Sequence, residues 1–308
     1  MWFYVDGYKV CAQLADRRAT IMAERYDDKV ALITGVGDKG IGSAIAERLA
    51  SEGAAVAVLW WERPNRLLNR FVKREVPHLD IRCDVTNQAS VTAAIDACMA
   101  EFGQIDVLVN NAGVDSPQHT EEMTDDDWQR QLDVNLTGSM RMIRSTLPYL
   151  SEPGGVVVNI ASALGLAGCA GYSAYSASKA GLIGMTRSLA MELAPRRQRA
   201  VCVAPALVHT PMMHRHLDSL TTEMIEQVHA AHPIGMGTVH DVANAVAFLA
   251  SDEASWITGT ALPLGWVEGF SLPADGLIQA QVASQSRHKP TSEEPRPTTT
   301  TVPEASVQ

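Results

Sequence analysis

Five short apolar runs recur through the middle of the chain, and a helical pattern follows each. VALITG (30–35), AAVAVLW (54–60), IDVLVNNAG (105–113), GGVVVNIAS (154–162) and RAVCVAPA (199–206) read as strands. SAIAERLASEG (43–53), SVTAAIDACMAEFG (90–103), DDDWQRQLDVNLTGSMRMIRSTLPYL (125–150), SAYSASKAGLIGMTRSLAMELAP (173–195) and HDVANAVAFLASDEAS (240–255) read as helices. Strands that are apolar at every position have both faces buried, which is the condition of a parallel sheet between two helical layers. The expected fold is therefore α/β, a Rossmann-like doubly wound parallel sheet in a single domain with helices on both faces.

The ends differ from this middle. Residues 276–308 run into ASQSRHKPTSEEPRPTTTTVPEASVQ, rich in Ser, Thr, Pro and Glu, and read as a disordered tail because nothing there offsets the entropy of ordering. Residues 1–21 lack the basic-then-apolar order of a secretory signal. Met22 leads directly into the first strand, so either translation starts there or residues 1–21 form a real extension. The catalytic domain is placed at 22–275.

A net charge of −10 argues against a nucleic-acid surface, and no apolar run is long enough to span a membrane. The cysteines are Cys11, Cys83, Cys98, Cys169 and Cys202, odd in number and scattered, with no metal-binding spacing. They fit a reducing, cytoplasmic compartment and no metal site. The His214 and His216 pair is too small a donor set for a metal.

The first strand runs into TGVGDKGIG, residues 34–42. Glycines between a strand and a helix suit a turn whose amides face a dinucleotide pyrophosphate, where a side chain would hold the phosphate away. Two spacings compete. Gly35, Gly37 and Gly40 spell G-x-G-x-x-G, whereas Thr34, Gly35, Gly40, Ile41 and Gly42 lie in T-G-x-x-x-x-G-x-G. A carboxylate that grips the adenosine ribose is expected about 20 residues further on. Trp60 stands at that point, with Glu62 two residues later. Lys39 in the turn and Arg63 past the second strand suit a 2′-phosphate, so NADP is favoured over NAD. Glu62 serves NAD if the strand end bulges.

Tyr175 and Lys179 lie in YSASK, on one face of an expected helix. A free phenol has a pKa near 10, and a neighbouring ammonium lowers it, making tyrosine a usable acid/base at a carbonyl. Ser162 closes one strand, Asn111 to Gly113 close another, and Asn135 sits in VNLTG.

With these features in order, the chain resembles the short-chain dehydrogenase/reductase family, in its common single-domain branch. TGVGDKGIG, CDV, NNAG, VNLTG, the Ser162-to-Tyr175 spacing, YSASK, VAPALVHTPM and WITG carry the resemblance over roughly residues 28–270. It implies an NAD(P)-dependent oxidoreductase interconverting a secondary alcohol and a ketone. Tyr175 would be the general acid/base. Lys179 would lower its pKa and bind the nicotinamide ribose. Ser162 would hold the substrate oxygen, and Asn135 would hold a water in a proton relay. Asp84 and Val85 would flank the adenine, and Asn111, Ala112 and Gly113 would line the adenosine side. Pro205, Val208 and Thr210 would reach the nicotinamide end or the phosphates. The family also implies a homodimer or homotetramer, formed through the YSASK helix and its neighbour.

The chain departs from the family pattern in places. Its glycine turn carries four residues, Val36 to Lys39, where three are usual. Gly37 is expected to absorb the extra residue with a positive φ, and Asp38 brings a negative charge near the phosphates. Pro205-Ala206 replaces a common P-G, Val201 replaces an asparagine, and Trp266 stands near a usual D-G-G. The segment from Leu207 to about Gly237 is expected to form a lid. With Leu164, Leu166 and Tyr172, it suggests a moderately apolar pocket for an alcohol or ketone. The competing reading is a catalytically weak, cofactor-binding regulatory protein on the same fold.

Overall fold

In the computed structural model, which describes residues 25–213, 222, 226, 230, 232 and 234–265, seven parallel strands form one sheet. The elements in chain order are β1 (Val30–Ile33), α1 (Ile41–Ala50), β2 (Ala55–Trp60), α2 (Asn65–Lys73), β3 (His78–Arg82), α3 (Gln88–Phe102) and β4 (Val107–Asn110). They continue with α4 (Asp125–Leu132), α5 (Gly138–Thr146), β5 (Val156–Ile160), α6 (Ser173–Leu193), β6 (Arg199–Pro205), α7 (Val239–Ala250) and β7 (Ala261–Leu264). The sheet order is β3-β2-β1-β4-β5-β6-β7, and each neighbouring pair is parallel, as Leu32 opposite Leu108 and Asn110 opposite Asn159 show. This is the doubly wound sheet the apolar runs imply, in one domain.

Successive strand residues point to opposite faces, so each strand feeds two cores. Ala31, Ile33, Val56, Val58, Val107 and Val109 pack with Ile45 and Leu49 of α1, Leu67 and Phe71 of α2, and Val246 of α7. On the other face Val30, Leu32, Leu59, Leu108 and Val157 meet Val91 and Ile95 of α3, Met142 of α5 and Leu193 of α6. Each fully buried side chain of this kind contributes roughly 1.5–3 kcal/mol.

Two strands, β3 and β7, and one helix, α2, go beyond the pattern read from sequence. β3 (HLDIR) is only partly buried, and β7 (ALPL) contains Pro263; both are edge strands. Pro belongs at an edge because it donates nothing to a ladder. The expected single helix over 125–150 is broken. A π-helical turn, Asp133–Thr137, separates α4 from α5 and carries Asn135. Such turns recur at functional sites. The segments assigned to an N-terminal extension and a tail, together with His214, His216, Trp266 and much of the expected lid, lie outside the described residues. No described helix is long and apolar enough to cross a membrane.

Candidate active site

Strand order reverses between β1 and β4, and a cleft of about 740 Å³ opens beyond the carboxyl ends of those strands. The glycine turn forms one end. Gly35 has φ +66°, and a Cβ there would lie 2.5 Å from Ala112 Cα. A Cβ on Gly42 would lie 2.7 Å from Asn111 Nδ2 and 2.9 Å from the Gly35 carbonyl oxygen. Asn111 Nδ2 donates to the Thr34 and Gly35 carbonyls, both at 3.0 Å. The turn is thus packed against the end of β4 with no room for a side chain at Gly35 or Gly42. Gly40 opens α1 without a side-chain cap, so the first amides of that helix are left for an anion. This cradle fits a dinucleotide pyrophosphate.

Gly37 differs from Gly35 and Gly42 in that a Cβ there would meet nothing within 4 Å, and from Gly35 and Gly40 in that its φ is not positive. The working glycines are therefore Gly35, Gly40 and Gly42, which selects T-G-x-x-x-x-G-x-G. The expectation that Gly37 absorbs the extra residue is corrected, since Gly35 and Gly40 take the positive φ values. Thr34 is also corrected. It is buried and off the cleft wall, and its Oγ1 accepts the amides of Asn111 and Ala112 at 3.0 Å, tying β1 to β4.

Asp38 does not face the cleft. Its Oδ1 accepts the amides of Arg66 at 2.7 Å and Leu67 at 3.2 Å, at the start of α2. Arg63 is diverted as well. It grips Asp80 through Nε and Nη2, both at 3.0 Å, and is not on the cleft wall, where Trp61 and Glu62 stand. Among the described residues the cations lining the cleft are Lys39, Arg130 and Lys179. Ile41, Asp84, Val85, Ala112, Gly113, Pro205, Val208 and Thr210 also line it. The Asp84 carboxylate is held by the Thr86 amide and hydroxyl at 2.9 and 2.7 Å, which fixes the wall beside Val85.

The opposite end collects Ser162, Tyr175 and Lys179. α6 sets Tyr175 and Lys179 one turn apart, and both line the cleft with Ser162. Ser162 follows β5 and caps a short 3-10 turn, accepting the Leu164 amide at 3.2 Å. That turn lies so close to α6 that a Cβ on Gly165 would be 2.7 Å from the Lys179 carbonyl carbon. Lys179 is 4% exposed, and its Nζ donates to the Ile160 carbonyl at 2.9 Å. Asn135 is fully buried behind this group and does not line the cleft. Its Oδ1 accepts the Val114 amide at 2.8 Å, and its Nδ2 donates to the Val114 carbonyl at 2.9 Å and to Ser178 Oγ at 3.0 Å. A Cβ on Gly113 would lie 3.3 Å from Asn135 Oδ1 and 3.4 Å from Lys179 Nζ, so glycine keeps this corner open.

Charge at this end runs against one expectation. Tyr175 is raised above the ordinary tyrosine range, first by desolvation and then by the Asp115 carboxylate; a Ser162 hydrogen bond opposes both. Lys179, whose Nζ is 5.6 Å from the Tyr175 ring centroid, does not bring the phenol down. Burial instead lowers Lys179 itself to about 8. Burial thus favours the neutral phenol at Tyr175 and works against the charge on Lys179.

Tyr172 is buried in the same wall, edge-on to Tyr175 at 6.2 Å between ring centroids. Leu164, Leu207, Met212 and Met213 complete an apolar lining, whereas Leu166 stays outside it. Asp115 and Arg130 were not foreseen as cleft residues. Asp115 directly follows NNAGV. Arg130 lies one helical turn before Val134 on the face leading to Asn135, and that spacing was the available signal.

A family model described as enoyl-(acyl carrier protein) reductase matches residues 35–264. A Mycobacterium tuberculosis (5R,7aS)-5-hydroxy-7a-methyl-1-oxo-2,3,5,6,7,7a-hexahydro-1H-indene-carboxyl-CoA reductase is 39% identical over 76% of this chain and 90% of its own length. An Escherichia coli 3-oxoacyl-(acyl-carrier-protein) reductase is 36% identical over 77% of this chain and 96% of its own. The crystal structure of a short chain dehydrogenase from Burkholderia cenocepacia in complex with NADP superposes with a TM-score of 0.72 at 33% identity, covering 79% of this chain and 99% of that one.

Proposed function

The chain belongs to the short-chain dehydrogenase/reductase family of NAD(P)-dependent oxidoreductases, and from that premise we propose that it reduces a ketone to a secondary alcohol with NADPH. One observation carries this reading. Ser162, Tyr175 and Lys179 line one end of the same cleft whose other end is the glycine cradle.

The chain's residues would hold the cofactor at the Gly35, Gly40 and Gly42 turn, along Asp84 and Val85, and past Asn111 to Gly113. Pro205, Val208 and Thr210 lie toward the nicotinamide end. Lys39 supports NADP because it lines the cleft; Arg63 is committed to Asp80 and adds nothing to that reading, and Glu62, also on the cleft wall, is the group that would serve NAD. When bound, the reduced nicotinamide supplies a hydride to the substrate carbon.

Ser162 holds the substrate oxygen. Tyr175 enters as the neutral phenol and gives its proton to that oxygen as the carbonyl becomes an alkoxide. The phenolate left behind accepts a hydrogen bond from the Ser162 hydroxyl, the group that lowers the Tyr175 pKa. Lys179 returns the proton, drawing on a water beside Asn135, which sits across the Gly113 corner. In alcohol oxidation the same groups run in reverse.

The apolar wall of Leu164, Tyr172, Met212 and Met213 suits a ketone of modest polarity. The relatives named for CoA-linked and acyl-carrier-linked compounds make 3-oxoacyl thioesters the first substrates to try, followed by cyclic ketones. Self-association through α6, which exposes Met191, belongs to the same reading and is checked by light scattering. Turnover is tested by following NADPH and NADH oxidation against such a panel. Ketone-dependent NADPH oxidation is the expected result. Binding of NADPH with no turnover on any ketone would favour a regulatory, cofactor-sensing protein instead.

A further inference from the structure

The extra residue of the glycine turn has a structural partner. α2 begins after Pro64, without a side-chain cap of its own and without an acidic residue in its first turn. A helix start of this kind leaves amides unsatisfied. Asp38 supplies the missing cap from another element, through the 2.7 and 3.2 Å bonds to Arg66 and Leu67. α2 is itself anchored. Leu67, Leu68 and Phe71 are buried in the core, and Arg70 Nε donates to Glu47 Oε1 of α1 at 2.6 Å. The glycine turn is therefore strapped to a fixed helix at one residue, and Lys39 is the next residue. Gly37, just before, has open space around it and gives the turn no packing support of its own.

We propose that Asp38 is a positioning residue that holds Lys39 against the 2′-phosphate of NADP and so sets cofactor preference. The proposal rests on the NADPH reading above. Asp38 does not line the cleft; it acts through the backbone of the turn. Its negative charge is spent on the positive end of α2, which limits its repulsion of a nearby phosphate. Lys39, by contrast, is exposed and has no ion pair among the described residues, so the backbone of the turn is what fixes where its flexible stem begins.

The test is a set of parallel fluorescence titrations of the full chain with NADPH and with NADH. Asp38→Ala removes the cap and should weaken NADPH roughly five- to tenfold, while NADH changes less than about twofold. Asp38→Asn retains an acceptor oxygen and should keep NADPH within about twofold of wild type. Asp38→Glu keeps the charge but moves the carboxylate outward, and should lose selectivity like Asp38→Ala. It is also the second reading should the alanine variant fail to fold. Lys39→Ala should reduce NADPH affinity toward that of NADH, and adding Asp38→Ala to it should cost NADPH no more, because coupled residues are not additive. Equal weakening of both cofactors in Asp38→Ala, or an undiminished second loss in the double variant, would overturn the proposal. If Lys39→Ala leaves NADPH binding unchanged, the NADPH reading itself fails at Lys39 and takes this inference with it.

Discussion

The Lys179 ammonium is anchored on the main-chain carbonyl of Ile160, at 2.9 Å, where β5 ends. The bond fixes a buried cation beneath Tyr175 and leaves that cation to carry the cost of burial, so Lys179 falls to about 8. As pH rises through about 8 the folded protein loses this charge, while Tyr175 stays protonated well beyond it. The kcat/KM for ketone reduction should therefore fall above pH about 8 with the loss of one proton. Stability should move the other way. Over the interval from about 8 to the ordinary lysine value near 10.4, the unfolded chain binds more protons, so Lys179's contribution grows more favourable with pH. A pH profile taken with denaturant midpoints separates the two. Activity that stays level to about pH 10 would contradict this role for Lys179.

The glycines of the turn should not behave alike. Gly37→Ala meets open space and should change NADPH affinity less than about twofold and stability by under about 0.5 kcal/mol. Gly35→Ala drives a Cβ to 2.5 Å from Ala112 Cα at φ +66°, and Gly42→Ala drives one onto Asn111. Each should cost about 1–3 kcal/mol and weaken the cofactor site. Thermal melts and NADPH titrations of the three variants check this. Damage from Gly37→Ala equal to that from Gly35→Ala would restore the G-x-G-x-x-G reading.

Away from the cleft, Arg199 opens β6 in a buried position. Its guanidinium donates to the carbonyls of Leu249, Ser251 and Ile257 at 2.8, 2.9 and 3.1 Å, around the C-terminus of α7. Arg199→Met fills much of the volume but leaves those carbonyls without their partner. The unfolding free energy should drop by about 3 kcal/mol, with NADPH affinity unchanged. Urea unfolding checks the first and titration the second. A loss below about 0.5 kcal/mol would mean that water replaces the guanidinium.

The central sheet was legible because its interior strands are buried on both faces and so are written in Val, Ile, Leu and Ala. β3 and β7 were missed for the converse reason. An edge strand is half solvated, and HLDIR or ALPL carries no periodicity that separates it from a loop. The π turn at Asp133–Thr137 inserts within a continuous helical pattern and leaves that pattern almost unchanged, so 125–150 reads as one helix.

At the site, spacing revealed what depends on spacing. Tyr175 and Lys179 are one turn apart, and a face shared on a helix is a local property. The protonation of Tyr175 depends on desolvation and on Asp115, which a distant loop brings in, and no local pattern encodes that. The same holds for Asp38 and Arg63. Both are charged residues near a phosphate site in sequence, yet their partners, the α2 amides and Asp80, come from other elements.

The most direct test is Tyr175→Phe, assayed for ketone-dependent NADPH oxidation and for NADPH binding in parallel. The substitution removes only the phenolic hydroxyl, the group proposed to give its proton to the substrate oxygen. The expected result is a fall in kcat of about 10²–10⁴-fold with NADPH affinity nearly unchanged. Turnover within about tenfold of wild type would contradict the account, because the carbonyl oxygen would then be taking its proton from another group.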